Sequence, residues 1–511
     1  MTIAIAHCRA QLGIEAPAVA IETHLSNGLP AFNLVGMAET AVRESKERVR
    51  SALLNSGFEF PSNRITVSLA PGDLPKEGTR YDLAIALSIL AASGQIPLAA
   101  LSRFEAVAEL ALTGALRPVR GIMPAARACL LAQRFIVLAP AAQTEAQLVR
   151  QLRVLPAADL SALCQHLKGI TPLEWAAAPA PATDRSHAGE ADLSDVAGQF
   201  LARRALEVAA AGGHNLLLSG PPGTGKTMLA SRLPSLLPPL EDEEAYEVAA
   251  IHSVAGAPRQ EQDWQRAPYR SPHHTCSAPA LVGGGSLPRP GEVSLAHRGV
   301  LFLDELPEFG RRVLDVLREP LETGRVSIAR AARSVEFPAR FQLVAAMNPC
   351  PCGFWGDPGN ACRCTPEMVR HYRAKVSGPL LDRIDLQIEV TRERHWLRAA
   401  NGEPPESSAL VRSRTMAARQ RQLSRQAKSN HELGAGELKH HAPMNEAAAS
   451  FLARAFDHYR LNPRSYHRVV KLARTIADLA VEDVLREEHI SEALSLRRLE
   501  ISAAATVGNP R

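Results

Sequence analysis

Eight consecutive residues, Gly220-Pro221-Pro222-Gly223-Thr224-Gly225-Lys226-Thr227, combine three glycines with a lysine and a terminal hydroxyl. They fit the P-loop pattern G-x-x-x-x-G-K-[ST] at every fixed position. Glycines let successive backbone N–H groups point at one spot, where the polyphosphate of ATP can sit. Lys226 would reach the β- and γ-phosphates, and the Thr227 hydroxyl would ligate Mg²⁺. Downstream, the apolar run Val300-Leu301-Phe302-Leu303 ends in Asp304-Glu305. There Asp304 can hold Mg²⁺ through water and Glu305 can polarise an attacking water; the competing reading is two solvated acids closing a core strand. A third apolar run, Phe341 to Met347, ends at Asn348. Its amide can orient the same water, or simply form a turn before Pro349.

This chemistry needs elements that converge. Leu216-Leu217-Leu218 suits a buried parallel strand, and Met228-Leu229-Ala230 begins a helix that ends near Pro234. Strand, glycine turn and helix N-terminus then deliver the loop, and two further strands deliver the acids and the amide to the same edge.

The chain of 511 residues exceeds one core and predicts about three domains. Its 46% hydrophobic and 22% charged content describes a globular protein, and no run approaches the ~18 apolar residues of a membrane span. The start lacks a basic segment followed by an apolar one, so a cytoplasmic location is expected. A net charge of +5 permits a nucleic-acid partner without requiring one.

Residues 1–170 read as an α+β domain, with strands at 18–22 and 65–69 and helices at 39–55, 81–92 and 123–133. Pro75 to Asp82 and Leu112 to Gly121 resemble the Lon-type protease domain, a fold like domain 2 of ribosomal protein S5. That family uses a Ser–Lys dyad, but Arg80 stands where the serine belongs and no lysine lies between Gly121 and Phe135. The resemblance implies shape without peptidase chemistry. Residues 171–194 turn rich in Ala and Pro and read as an extended linker. Asp195 to Ala210 reads as a helix, residues 195–390 as the ATPase core, and 391–511 as a helical lid.

Taken together, Gly212 to Thr227, Phe302 to Glu308 and Ala346 to Gly353 resemble the YifB/ComM family, the magnesium-chelatase-like branch of the AAA+ ATPases. The resemblance implies a multidomain α/β chain with a Lon-like front, an AAA+ core and a helical lid. It also implies a homohexameric ring and DNA branch migration in natural transformation, on branched DNA or single-strand/duplex junctions. The alternative is a chelatase-type or chaperone-like ATPase that remodels a protein partner. Gly378 to Leu386 resembles an arginine-finger segment, in which Arg383 would reach a neighbouring subunit's site; the other reading is a local ion pair with Asp382 or Asp385. Arg464, at a helix start, matches a sensor 2 arginine or is plain helix-start charge.

Two stretches bear on DNA. Arg325 to Phe337 alternates as two short strands around a basic tip with Arg330 and Arg333, a pore hairpin or a stiffener of ring contacts. Ser271 to Gly299, which carries His273-His274 and Arg289, reads as a long mobile loop. The arginine-rich helix 407–426 is either a solvated face or a nucleic-acid contact. Finally, Cys350, Cys352, Cys362 and Cys364 crowd into fifteen positions. Four thiolates can bind structural Zn²⁺, or stand as reduced thiols in a glycine-rich loop.

Overall fold

The computed structural model describes residues 3–37, 40–177, 191–285, 288–330, 333–357, 359–392, 405–459 and 461–497. They form two compact units that are not contiguous in sequence. The first takes residues 1–185, 242–265 and 329–337, and the second takes 186–241, 266–328 and 338–511.

In the first unit a seven-stranded mixed sheet runs in the order Ala31–Val35, Arg64–Ala70, Ala18–Ser26, Ile3–Arg9, Phe104–Ala106, Phe135–Leu138, Val154–Pro156. The helix Asp82–Ala92 is buried along its whole length, which explains why its sequence is apolar on every side. The expected helix 39–55 is broken into Thr40–Arg43 and Ser45–Asn55, Glu39 lying outside the described residues. At the break the buried Ser45 hydroxyl donates to the Val42 carbonyl at 2.6 Å, a local bond that competes with the helical one. Arg80 is a buried structural cation, donating to Gln11 Oε1 at 2.7 Å and to the carbonyls of Arg120 at 2.5 Å and Arg9 at 3.5 Å. Leu173 and Trp175, inside the expected linker, pack on this core, Trp175 stacking on Phe104 at 6.1 Å; residues 178–190 lie outside the described residues. The helix Asp242–Ala255 also belongs here, because Ser253 accepts from the backbone of Gly121 and, through its hydroxyl, of Met123 at 3.2 Å each.

The second unit is built on a five-stranded, wholly parallel sheet, ordered Tyr269–Arg270, Val300–Leu303, Gln342–Met347, Leu216–Ser219, Leu386–Glu389. Its three central strands are buried, largely apolar runs because both faces are covered. Leu216, Leu218, Phe302, Val344 and Ile388 share one core with Leu452, Val469, Leu472 and Ile476 of the C-terminal helices. Those helices span Ser408–Gln426, Ala435–His441, Glu446–His458, Pro463–Leu479 and Glu487–Ser495.

Three expectations change in this unit. The helix before the P-loop strand starts at Phe200 rather than Asp195, because Gly198 and Gln199 both take left-handed backbone, with φ of +67° and +51°. The stretch 271–299 is not structureless: it carries helices Ala278–Val282 and Glu292–Leu295 and the hairpin Gly283–Gly284/Arg289–Pro290, with 286–287 outside the described residues. A bidentate Arg270–Glu292 pair at 2.6 and 2.8 Å ties the root of this stretch to the start of its second helix. The helix Ser408–Gln426 is not a free basic face. Arg414 pairs with Glu207 and Glu406, Arg421 with Asp483 and Arg425 with Asp478, while Arg419 donates to the Ala210 carbonyl.

The hairpin Arg325–Arg330/Arg333–Pro338 is present. Residues 331–332 and the side chains of Arg330 and Arg333 lie outside the described residues. Within the first unit, its second strand lies against Gly13, where a Cβ would come within 3.0 Å of Val335.

Candidate active site

Parallel strands end together, and the residues following three central strands meet at one edge. Leu303 stands opposite Ala345, and Ser219 opposite Met347, so Gly220, Asp304 and Asn348 leave the sheet side by side. Gly220 must be glycine: a Cβ there would lie 2.1 Å from the Val390 carbonyl oxygen of the adjacent strand's end. Gly223 and Gly225 hold φ of +77° and +85°, which turns the loop into the helix Lys226–Leu236.

The Lys226 ammonium folds onto its own loop. It donates to Gly220 O at 2.7 Å, Pro221 O at 2.9 Å and Asn348 Oδ1 at 3.2 Å. Burial lowers its pKa from the usual lysine value, against the opposing pull of Asp304 and Glu305. The Thr227 hydroxyl donates to Asp304 Oδ2 at 2.7 Å, and Asp304 Oδ1 accepts the Glu305 N–H at 2.9 Å. Glu305 has φ of +52°, an uncommon backbone for a side chain of its size. Its Oε2 faces His274 Nδ1 at 3.4 Å. Thr227 and Asp304 are hard oxygen donors at bonding distance from one another, which suits Mg²⁺. A flexible glycine cradle ending in a buried lysine suits the phosphates of ATP.

Arg383 and Arg464 stand elsewhere. Arg383 pairs with Glu322 rather than with Asp382 or Asp385, and it donates to Pro379 O at 2.5 Å. The exposed Arg464 reaches Asp382 at 3.4 Å. Among the described residues neither bonds the P-loop. Arg289 is exposed at the hairpin of the insert.

Sequence reasoning missed Arg392, whose guanidinium donates to Pro222 O at 3.2 Å, and nothing local marked it. It also missed a buried hub behind the P-loop strand. Asp385 Oδ2 faces His431 Nδ1 at 2.8 Å and His214 Nδ1 at 3.3 Å, and His214 Nε2 meets the Thr475 hydroxyl at 2.8 Å. Burial alone would raise the Asp385 carboxyl; the neighbouring His431 and His214 outweigh it and hold the group well below its usual range. For His214 burial wins and lowers its pKa. The hub joins His214, two residues before the P-loop strand, to Thr475 of the helix Pro463–Leu479.

The four cysteines converge. Their sulfurs lie within 4.8 Å of one another, with Cys350–Cys352 at 3.4 Å, Cys352–Cys362 at 3.5 Å and Cys350–Cys362 at 3.7 Å. Tetrahedral Zn–S bonds of about 2.3 Å place sulfurs about 3.8 Å apart, so the cluster fits zinc. The loop packs on the P-loop: a Cβ at Gly353 would come within 2.7 Å of Pro222.

This arrangement has near-full-length relatives. The chain is 49% identical over 500 residues to "Uncharacterized protein YifB" of Escherichia coli (strain K12), covering 98% of both chains. It is 48% identical over 501 residues to "Competence protein ComM" of Haemophilus influenzae, again covering 98% of both. The chain belongs to the YifB/ComM magnesium-chelatase-like family. Three family profiles match in turn: "Subunit ChlI of Mg-chelatase" over residues 21–142, "Magnesium chelatase, subunit ChlI" over 192–396, and "Magnesium chelatase, subunit ChlI C-terminal" over 405–497. The second profile contains every P-loop, Asp304, Glu305 and Asn348 position, together with the cysteines. A mixed α/β multidomain chain with a parallel sheet and C-terminal helices is what this family membership and the fold agree on.

Proposed function

We propose that this chain is an ATP-driven DNA motor, a cytoplasmic homohexamer that migrates DNA branches and extends heteroduplex during natural transformation. The observation that carries the ATPase is the meeting of Lys226, Thr227, Asp304, Glu305 and Asn348 at one sheet edge. In this reading Lys226 leaves its own carbonyls for the phosphates, and the P-loop N–H groups hold the nucleotide. Bound Mg²⁺, held by Thr227 and Asp304, would supply positive charge to the phosphate oxygens. Glu305 takes a proton from the attacking water, which Asn348 orients. Arg383 serves a neighbouring subunit, and Arg464 answers to the γ-phosphate from the lid. The first unit has a Lon-like shape without peptidase chemistry, in keeping with the buried Arg80, which donates to Gln11 and to the Arg120 carbonyl. The four cysteines hold a structural Zn²⁺ beside the P-loop.

The DNA reading draws on the near-full-length likeness to a competence protein. No helix among the described residues is long and apolar enough to cross a membrane. DNA contact is assigned to Arg330 and Arg333 of the hairpin, with Arg289 as a further contact. The test is ATP hydrolysis and unwinding of branched DNA by purified protein. DNA should stimulate hydrolysis, and binding should weaken steeply with salt and show little sequence preference. The R330A/R333A double variant should keep basal hydrolysis and lose both stimulation and strand displacement. Unwinding by that variant at the wild-type rate would remove the hairpin assignment.

A second reading, remodelling of a protein partner, is favoured by two observations. All three matching profiles are magnesium chelatase subunits. The arginines of Ser408–Gln426 are engaged within the fold instead of presented to a polyanion. Hydrolysis indifferent to every DNA form would decide for it.

A further inference from the structure

Glu305 can act on water only if its carboxylate is held in one place, and its backbone does not do this alone. The residue leaves its strand with φ of +52°, and its side chain is 52% exposed. The group that faces the carboxylate is the imidazole of His274, with Nδ1 3.4 Å from Oε2. His274 lies outside the P-loop and outside the Asp304-Glu305 motif, and no matching spacing marks it. Topology brings it there. Tyr269–Arg270 pairs in parallel with the strand of Glu305, Tyr269 opposite Val300 and Arg270 opposite Leu301. Both chains therefore leave the sheet at the same edge, and the segment after Arg270 stands beside the segment after Leu303.

The imidazole is itself held on two sides. Its ring lies 4.1 Å from that of His273, tilted by 33°, and stands edge-on to Phe309 at 6.4 Å. His273 in turn meets the Thr275 hydroxyl through Nδ1 at 2.9 Å, and its carbonyl accepts the Cys276 N–H at 2.9 Å. A ring packed between two neighbours loses little further freedom when it bonds a carboxylate, so the contact orders Glu305 at low entropic cost. Upstream, the bidentate Arg270–Glu292 pair fixes the root of the segment.

We infer that His274 is a positioning residue for Glu305, orienting its carboxylate through Nδ1. This rests on the reading of Glu305 as the group that activates water. Three variants test it, the first two assayed for kcat and for KM of Mg-ATP. H274A should lower kcat by about tenfold and leave KM within about twofold, because the nucleotide contacts lie on the P-loop. H274N places an amide nitrogen close to where Nδ1 stood and should recover most of the loss. In an E305Q background, measured by single-turnover hydrolysis, H274A should add no further loss, since a residue acting only through Glu305 has nothing left to position.

A wild-type kcat in H274A, or H274N as slow as H274A, would overturn the proposal. So would an equal loss in the wild-type and E305Q backgrounds, which is also what a general folding defect would produce. Failure of the underlying reading looks different: E305Q would then hydrolyse ATP as fast as wild type, whatever stands at position 274.

Discussion

The Lys226 ammonium donates to the side-chain oxygen of Asn348 at 3.2 Å, across 122 residues of sequence. The bond joins the first turn of the P-loop helix to the end of a neighbouring strand. It holds the amide of Asn348 at the place where phosphate would arrive, and it leaves Lys226 satisfied without an anion.

Lys226→Ala should therefore abolish nucleotide binding, measured with a fluorescent ATP analogue. Asn348→Ala should bind the analogue within a fewfold of wild type but hydrolyse ATP slowly, by about 10²-fold. Equal loss of binding in both variants would mean that Asn348 serves the loop's structure rather than the reaction.

Arg383 is paired with Glu322 within its own chain. If that pair opens toward a neighbouring subunit, Arg383→Ala should assemble and lose turnover by on the order of 10³-fold. Mixing Arg383→Ala with Glu305→Gln subunits should restore part of the activity, because some interfaces then combine an intact site with an intact arginine. No recovery at any mixing ratio would reduce Arg383 to the local pair with Glu322.

The cysteine cluster predicts about one zinc per chain by elemental analysis. The N–H groups of Phe354 and Arg363 hold the Cys352 thiol down, to about 6. Cys362, although the Cys364 N–H pulls it down, is pushed up to about 12 by burial and by the sulfurs of Cys352 and Cys350, so a metal must displace the remaining thiol protons. Cys352→Ser and Cys362→Ser should each lose the metal. Because Gly353 packs on Pro222, both should also weaken nucleotide binding. Metal-free protein of unchanged melting temperature would leave four ordinary thiols.

Acid should loosen the second unit from the His214–Asp385 hub. The buried His214 has a pKa below its ordinary 6.5, so the unfolded chain takes up a proton that the folded one refuses, and stability falls as pH drops below about 6.5. The Asp385 carboxyl is depressed below 3.8, so its stabilisation is full above that value and is lost only at lower pH. Melting temperature measured from pH 8 to pH 5 should decline, and His214→Asn should flatten the decline while lowering the midpoint throughout. Asp385→Ala should cost about 3–5 kcal/mol, since it leaves the partners of a buried charge unmatched.

The nucleotide site was legible because its chemistry is local. Eight contiguous residues specify the loop, and three apolar runs ending in a glycine, an acid pair and an amide announce parallel strands that finish at one edge. The four cysteines were legible for the same reason, being close in sequence as well as in space. What the chain order could not show was which distant side chains would meet. The pairing of Glu305 with His274 follows from strand order, since the strand Tyr269–Arg270 that leads to His274 lies beside the strand Val300–Leu303 that leads to Glu305. Arginines that looked free along Ser408–Gln426 find Glu207, Asp478 and Asp483. Arg383, flanked by two aspartates, turns to Glu322 instead. The division into units, too, sends residues 242–265 from the middle of the chain to the first unit. A charge's partner depends on positions that packing sets, and periodicity reports only whether a face is apolar, not what will cover it.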